Sequence, residues 1–411
     1  MFSTNAKPRS HDNVFSSFRP LPKELLYEIA AHLQVKDVLS FCLVCREFHQ
    51  LGLAILYKTI QNINSRCLDT LASNDRNKLA VKTLALPSQV NNQLDSGCTW
   101  LNPKQILHSS VEECTLDVKA ASILPSLYNL QNLSVPPFSA IYAHPLSQCH
   151  FWNLHTLSYA MPITQPIASF LMRNSTLVNL TFDCYLPFFQ NLVLRPIALP
   201  QLRYLDGNPQ IMKLFVQNAP LETVYINWNY ERSKGEVLDE ALDLLALHCS
   251  TTLNELGVYR NTFRQCTCNN QVLVKISEKV PHITKLGLNG INISDGFIDT
   301  INSSLSHFKN LKSLDMDQHP THAVSPPRFI GSTKLDYDQD EGIILSWASD
   351  NCCPTLRNCR LPNGILWSFR FSRLWLPSLS TVPQRKYLLK HATRWREARL
   401  KAVGLNNEDT L

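Results

Sequence analysis

Thirteen cysteines and thirteen histidines in 411 residues are enough, in number, for metal or thiol chemistry. Cys42-x-x-Cys45 has the spacing of half a zinc site, but a structural zinc needs four ligands. The other close pairs, Cys266-x-Cys268 and Cys352-Cys353, are isolated and badly spaced for completing it. The expectation is therefore buried thiols and no metal. Asp336, Asp338 and Asp340 alternate like the opening of a calcium loop. An EF-hand would then need Gly where Glu341 stands and Glu where Trp347 stands, so the stretch reads as an acidic surface loop. GxSxG, HExxH and the P-loop pattern are absent, and 12 glycines leave little for a phosphate cradle. The chain is expected to be no enzyme and to need no cofactor.

The elements that such a chain would build follow from its composition. Hydrophobic residues make up 44% and charged residues 18%, the balance of a folded protein. Residues 1–20 lack the apolar core of a secretion signal and no run of 18 apolar residues occurs. With an odd number of cysteines in no framework spacing, the expected compartment is reducing, cytoplasmic and/or nuclear, with no membrane partner. The net charge of +6 is localised: residues 381–401 carry seven cations (Arg385, Lys386, Lys390, Arg394, Arg396, Arg399 and Lys401) against Glu397. A balanced remainder does not describe a nucleic-acid binder. Leu388, Ala392 and Trp395 recur there at helical spacing, which favours a basic terminal helix closing a solenoid over a site for acidic partners.

Leucine accounts for 62 of the 411 residues. Apolar–x–x–apolar–x–apolar recurs from Val81, Val111, Leu130, Leu154, Leu177, Leu202, Leu221, Leu253, Ile283, Leu311 and Leu356, mostly at the period of leucine-rich repeats. Helix-like stretches such as IASFLMRN, IMKLFVQN, EVLDEALDLLALHC and EGIILSWASDNC fill the intervals. The family's turn asparagine stands only at Asn229 and Asn261, so the repeat is degenerate. A strand–helix unit cannot bury its apolar side alone, and stacking gives an α/β solenoid with a parallel inner sheet. The longest interval, before Leu356, holds a Pro-, His- and Asp-rich insertion at about 318–338, read equally as a functional loop or as disorder.

Ahead of the repeats stands LPKELLYEIAAHLQVKDVLSFCLVCREF, residues 21–48. Residues 24–33 read as an amphipathic helix, Asp37 as the N-cap of a second over VLSFCLV, and REFHQLGLAILY as a third. Three helices in about 40 residues cannot enclose so many apolar side chains, so something else must cover them. Leu21-Pro22-x-Glu24-Leu25-Leu26-x-x-Ile29, with Leu33, Asp37-Val38-Leu39, Val44-Cys45-Arg46-x-Phe48 and Leu56-Tyr57, closely resembles the F-box of substrate receptors in SCF (Skp–cullin–F-box) ubiquitin ligases. The stretch at 352–367 also resembles the closing repeat of many fungal F-box proteins.

The resemblance implies docking onto a Skp-type adaptor through Leu21, Pro22, Leu25, Leu26, Ile29, Leu33, Leu39, Val44, Cys45 and Phe48. Through the adaptor it implies a cullin and a RING subunit. The expected organisation is a tail over 1–20, F-box 21–60, solenoid 61–380, basic helix 381–401 and tail 402–411. An unknown substrate protein would meet outward positions of the inner strands, among them Tyr204, Tyr225, Glu255, Tyr259, Lys285, Asp315 and Arg360. A scaffold that uses the adaptor without ubiquitylation stays open as the alternative.

Overall fold

The computed structural model describes residues 21–87, 111–136, 140–160, 163–182, 195–228, 236–260, 271–288, 297–316, 337–361, 364–370, 374–377, 389 and 392–393. The N-terminal tail, the insertion as far as residue 336, nearly all of 381–401, and the residues after it lie outside the described residues, as do Asn229, Asn261, Cys266 and Cys268.

Three helices come first: α1 (Lys23–Ala31), α2 (Val35–Cys42) and α3 (Arg46–Leu56). Pro22 stands at the N-cap of α1, where its missing N–H is no loss, and its carbonyl accepts the Leu26 amide at 3.1 Å. Asp37 is not the cap of the second helix. That helix begins earlier, behind Gln34, which leaves Asp37 inside the first turn, where a carboxylate still complements the helix dipole. Cys45 is exposed and not buried as expected: it lies in the extended link before α3, its sulfur accepting the Phe48 amide at 3.5 Å. Cys42 ends α2 facing α3 and is buried.

The chain then alternates through β1 (Thr59–Ile60), α4 (Ser65–Ser73), α5 (Asp75–Ala80), β2 (Thr83–Ala85), α6 (Val111–Ile123), β3 (Asn132–Val135), α7 (Ala143–Gln148) and β4 (Thr156–Tyr159). It continues with α8 (Gln165–Arg173), β5 (Asn179–Phe182), β6 (Tyr204–Gly207), α9 (Pro209–Phe215), β7 (Thr223–Trp228), α10 (Glu236–His248) and β8 (Glu255–Arg260). The last part comprises α11 (Gln271–Lys279), β9 (Lys285–Leu288), α12 (Phe297–Leu305), β10 (Ser313–Asp315), α13 (Tyr337–Trp347), β11 (Asn358–Arg360), β12 (Leu366–Phe369) and β13 (Trp375–Pro377).

All 13 strands form one sheet whose spatial order is the sequence order. Neighbours from β1 to β11 are parallel. The expected parallel sheet is thus present, and at its C-terminal end β12 and β13 run antiparallel. Only residues 361–365 separate β11 from β12, with Gly364 at φ 79° in the turn. So short a connection cannot hold a crossover helix, and the strand must return.

Each repeat is tied to the next by the residue just ahead of its strand. The Lys82 carbonyl accepts the amides of Gln131 and Asn132, the Gln131 carbonyl those of His155 and Thr156, and the same double bond recurs as far as the Lys312 carbonyl with Arg357 and Asn358. The first apolar residue of each stranded motif, from Val81 through Leu202 and Leu253 to Leu356, is buried beneath this ladder. The next two alternate with outward residues along the strand and enter one continuous core reaching from Ile60 to Trp375.

Two local readings are corrected. Val111, expected to open a strand, opens α6 instead. Its segment supplies the crossover between β2 and β3, which the parallel pairing of those strands requires. Residues 337–342, read as an acidic loop, are the first turns of α13, and acids suit a helix N-terminus. Among the described residues no helix is long and apolar enough to cross a membrane.

Candidate functional site

The three N-terminal helices bury little of their own apolar surface. Ala30, Val38, Cys42 and Gly52 are inside, and Phe41 stacks on Phe48 with centroids 4.2 Å apart. Outside stand Leu21, Leu25, Ile29, Leu39 and Val44, with exposures of 53, 45, 51, 54 and 67%. Leu33 is exposed as well, Pro22 and Cys45 share the surface, and Leu26 and Phe48 are half-buried. Two further exposed residues, Val35 and Leu43, were missed by sequence reasoning because they fall outside the motif. Their signal was the burial deficit itself. Eight of the 17 large exposed hydrophobics among the described residues fall within residues 21–44, so this is a concentrated face. A concentration of exposed apolar side chains of this kind is a mark of an interaction site. The Lys23–Glu47 ion pair at 3.2 Å joins α1 to α3 but is too exposed to stabilise them much.

The second candidate is the sheet face opposite the helices. Register places Asn132, Thr156, Asn179, Tyr204, Thr223, Glu255, Lys285, Ser313 and Asn358 in one cross-strand row. A second row runs Ser134, Ser158, Thr181, Asp206, Tyr225, Gly257, Gly287, Asp315 and Arg360. The seven residues named from sequence thus share one face of β6 to β11, with Tyr259 two positions beyond Gly257 on β8. The Tyr225 hydroxyl donates to Glu255 Oε1 at 2.5 Å, and Lys285 Nζ lies 3.1 Å from Glu255 Oε2. Arg360 pairs with Asp315 at 3.5 Å, and Asn227 donates to Asp206 at 2.8 Å. Burial first, and then nearby charge, push the Tyr204, Tyr225 and Tyr259 phenols upward, which keeps them neutral donors. Asp206, Asn227, Gly257 and Gly287 were missed; aligning the repeats by strand register rather than by leucine alone would have found them.

Burial also pushes the Cys149 thiol up to about 12 and Cys249 to about 11, the opposite of a nucleophile's environment. Among the described residues no group of three or more His, Cys, Asp or Glu is placed to hold a metal.

An F-box-like family model matches residues 18–61, the segment that carries the apolar face. No curated protein matches the chain. Among solved structures, a crystal structure of a Bacteroides fragilis protein is similar at 12% identity and a TM-score of 0.35, over 59% of this chain and 69% of its own. That score is too low to carry a structural or functional conclusion.

Proposed function

We propose that this chain is the substrate-recognition subunit of an SCF-type ubiquitin ligase. The observation that carries the reading is the exposed apolar face of α1 and α2 inside the F-box-like segment. Residues 21–60 dock the Skp-type adaptor through Leu21, Pro22, Leu25, Leu26, Ile29, Leu33, Leu39, Val44, Cys45 and Phe48. Burying one such leucine contributes roughly 1.5–3 kcal/mol, so four or five anchors sustain a specific interface. The adaptor links the chain to a cullin and a RING subunit, while residues 61–380 hold the substrate protein against Tyr204, Tyr225, Glu255, Tyr259, Lys285, Asp315 or Arg360. The chain contributes no chemistry of its own. It raises the effective concentration of an acceptor lysine beside the ubiquitin thioester. The work is placed in the cytoplasm and/or nucleus.

Co-purification of the full chain with a Skp-type adaptor tests this, against an Ile29→Asp/Leu39→Asp variant. Both side chains are more than half exposed, so the variant keeps its fold. Stoichiometric capture by the parent and loss in the variant is the expected result. A folded parent that captures no adaptor overturns the reading, and capture without adaptor-dependent ubiquitylation of any bound protein leaves the scaffold alternative.

A further inference from the structure

The open sheet face changes character along its length. From β2 to β5 its two rows hold Thr83, Asn132, Thr156 and Asn179, and Ala85, Ser134, Ser158 and Thr181, an uncharged and largely polar surface. From β6 onward it becomes aromatic and charged, with three carboxylates against two cations. Tyr204, Tyr225 and Tyr259 lie on three successive strands, with ring centroids 5.5 and 5.3 Å apart. Two adjacent strands carry glycine in the row beside them. A Cβ on Gly257 would stand 2.2 Å from Tyr225 Cδ1 and 2.6 Å from Tyr259 Cε2, and one on Gly287 would stand 2.9 Å from the Tyr259 hydroxyl. The missing side chains are what allow the Tyr225 and Tyr259 rings to lie against the backbone, tilted 40° to each other, with Tyr204 at 63° to Tyr225, as a stepped aromatic platform. Carboxylates of Asp206, Glu255 and Asp315 flank it, and Lys285 and Arg360 stand toward its C-terminal side, paired with Glu255 and Asp315.

We infer that this tyrosine platform binds a basic side chain, arginine above all, presented by an extended segment of the partner protein. Aromatic faces attract cations electrostatically, and a planar guanidinium can stack on a ring while its N–H groups reach a flanking carboxylate. The face carries one carboxylate more than its cations, Asp206, Glu255 and Asp315 against Lys285 and Arg360, so an acidic ligand would add to that excess, and an apolar one would have to desolvate the Glu255–Lys285 and Asp315–Arg360 pairs. Lys285 does not block the site: its side chain is 60% exposed and can give way, while that of Glu255, 24% exposed and bonded to the Tyr225 hydroxyl, stays in place to receive the incoming cation. The inference rests on the reading that this face holds the substrate, and it names the chemistry of what is held.

Fluorescence anisotropy on the full chain tests it with a labelled short Gly-Ser peptide carrying two arginines, against the same host carrying two leucines or two glutamates. The arginine peptide should bind about tenfold more tightly than the leucine peptide, and Tyr259→Leu or Glu255→Gln should each weaken it about fivefold. Denaturation midpoints of both variants within a degree or two of the parent separate lost recognition from lost folding, and Glu255→Gln, a polar swap, guards the same point. Equal binding of the arginine and leucine peptides, preference for the glutamate peptide, or arginine binding indifferent to both substitutions overturns the inference. No adaptor enters this assay. A failure here with adaptor capture intact removes only the basic-ligand inference, and failed adaptor capture leaves this result readable.

Discussion

Gly52 offers a sharp test of how the N-terminal helices hold the docking face in shape. It lies on α3 against α2, and a Cβ built there would stand 2.2 Å from Cys42 Sγ, with Val38 Cγ1 and the Val38 carbonyl oxygen both at 3.5 Å. Ordinary contact between such atoms is about 3.5–4.0 Å, so Gly52→Ala creates an overlap of about 1.5 Å. Cys42 is 8% exposed and has little room to turn away. Overpacking of this kind costs about 1–3 kcal/mol. The relaxation available is for α3 to back off α2, which would part the Phe41–Phe48 stack. Cys42→Ala alone removes one methyl-sized group and should cost about 0.8 kcal/mol. In the double variant the clash is gone, and replacing a mid-helix glycine returns about 0.5–1 kcal/mol. Cys42→Ala/Gly52→Ala should therefore lie within about 0.5 kcal/mol of the parent, far from the sum of the single effects. Hydrogen exchange across residues 35–56 reads stability, and Skp-type adaptor capture reads the face. A neutral Gly52→Ala, or losses that simply add in the double variant, would refute the close-packing argument.

Two further predictions concern the solenoid. Asn174 is buried, its Oδ1 accepting the Phe151 amide at 2.8 Å while its Nδ2 donates to the Phe170 carbonyl at 2.7 Å. Asn174→Ala leaves the buried Phe151 amide without its acceptor, while the Phe170 carbonyl keeps the Asn174 backbone amide at 3.2 Å; the loss should cost about 1–3 kcal/mol, read as faster hydrogen exchange at the Phe151 amide. Burial lowers the His282 pKa, so the unfolded chain takes up the proton first. Stability from this group is complete above the unfolded value of about 6.5 and declines as pH falls from there toward the folded pKa. His282→Gln should flatten that part of the profile in denaturation midpoints measured between about pH 7.5 and 5.5; an unchanged slope would show that the imidazole is solvated in the folded state.

Much of this architecture is written locally. A leucine every few residues is sufficient to name the strand motifs opened by Leu154, Leu177 or Leu253, because burial on one face of a repeating unit imposes its period on the chain itself. The apolar face of residues 21–44 is legible for a related reason: three short helices present more leucine than they can enclose. Where several elements compete for one pattern, local information fails. Val111 opens the same motif as Leu130, yet only its place between β2 and β3 makes it a crossover helix. The reversal at β12 is decided by the length of a connection. The open face depended most on tertiary structure. Gly257 lies 32 residues from Tyr225 and Gly287 lies 28 from Tyr259, and nothing local says that a missing side chain on one strand is the resting place of a ring from the strand before it. Register between strands is a long-range property, and the sequence carries it only as the sum of all the buried contacts that hold each repeat against its neighbours.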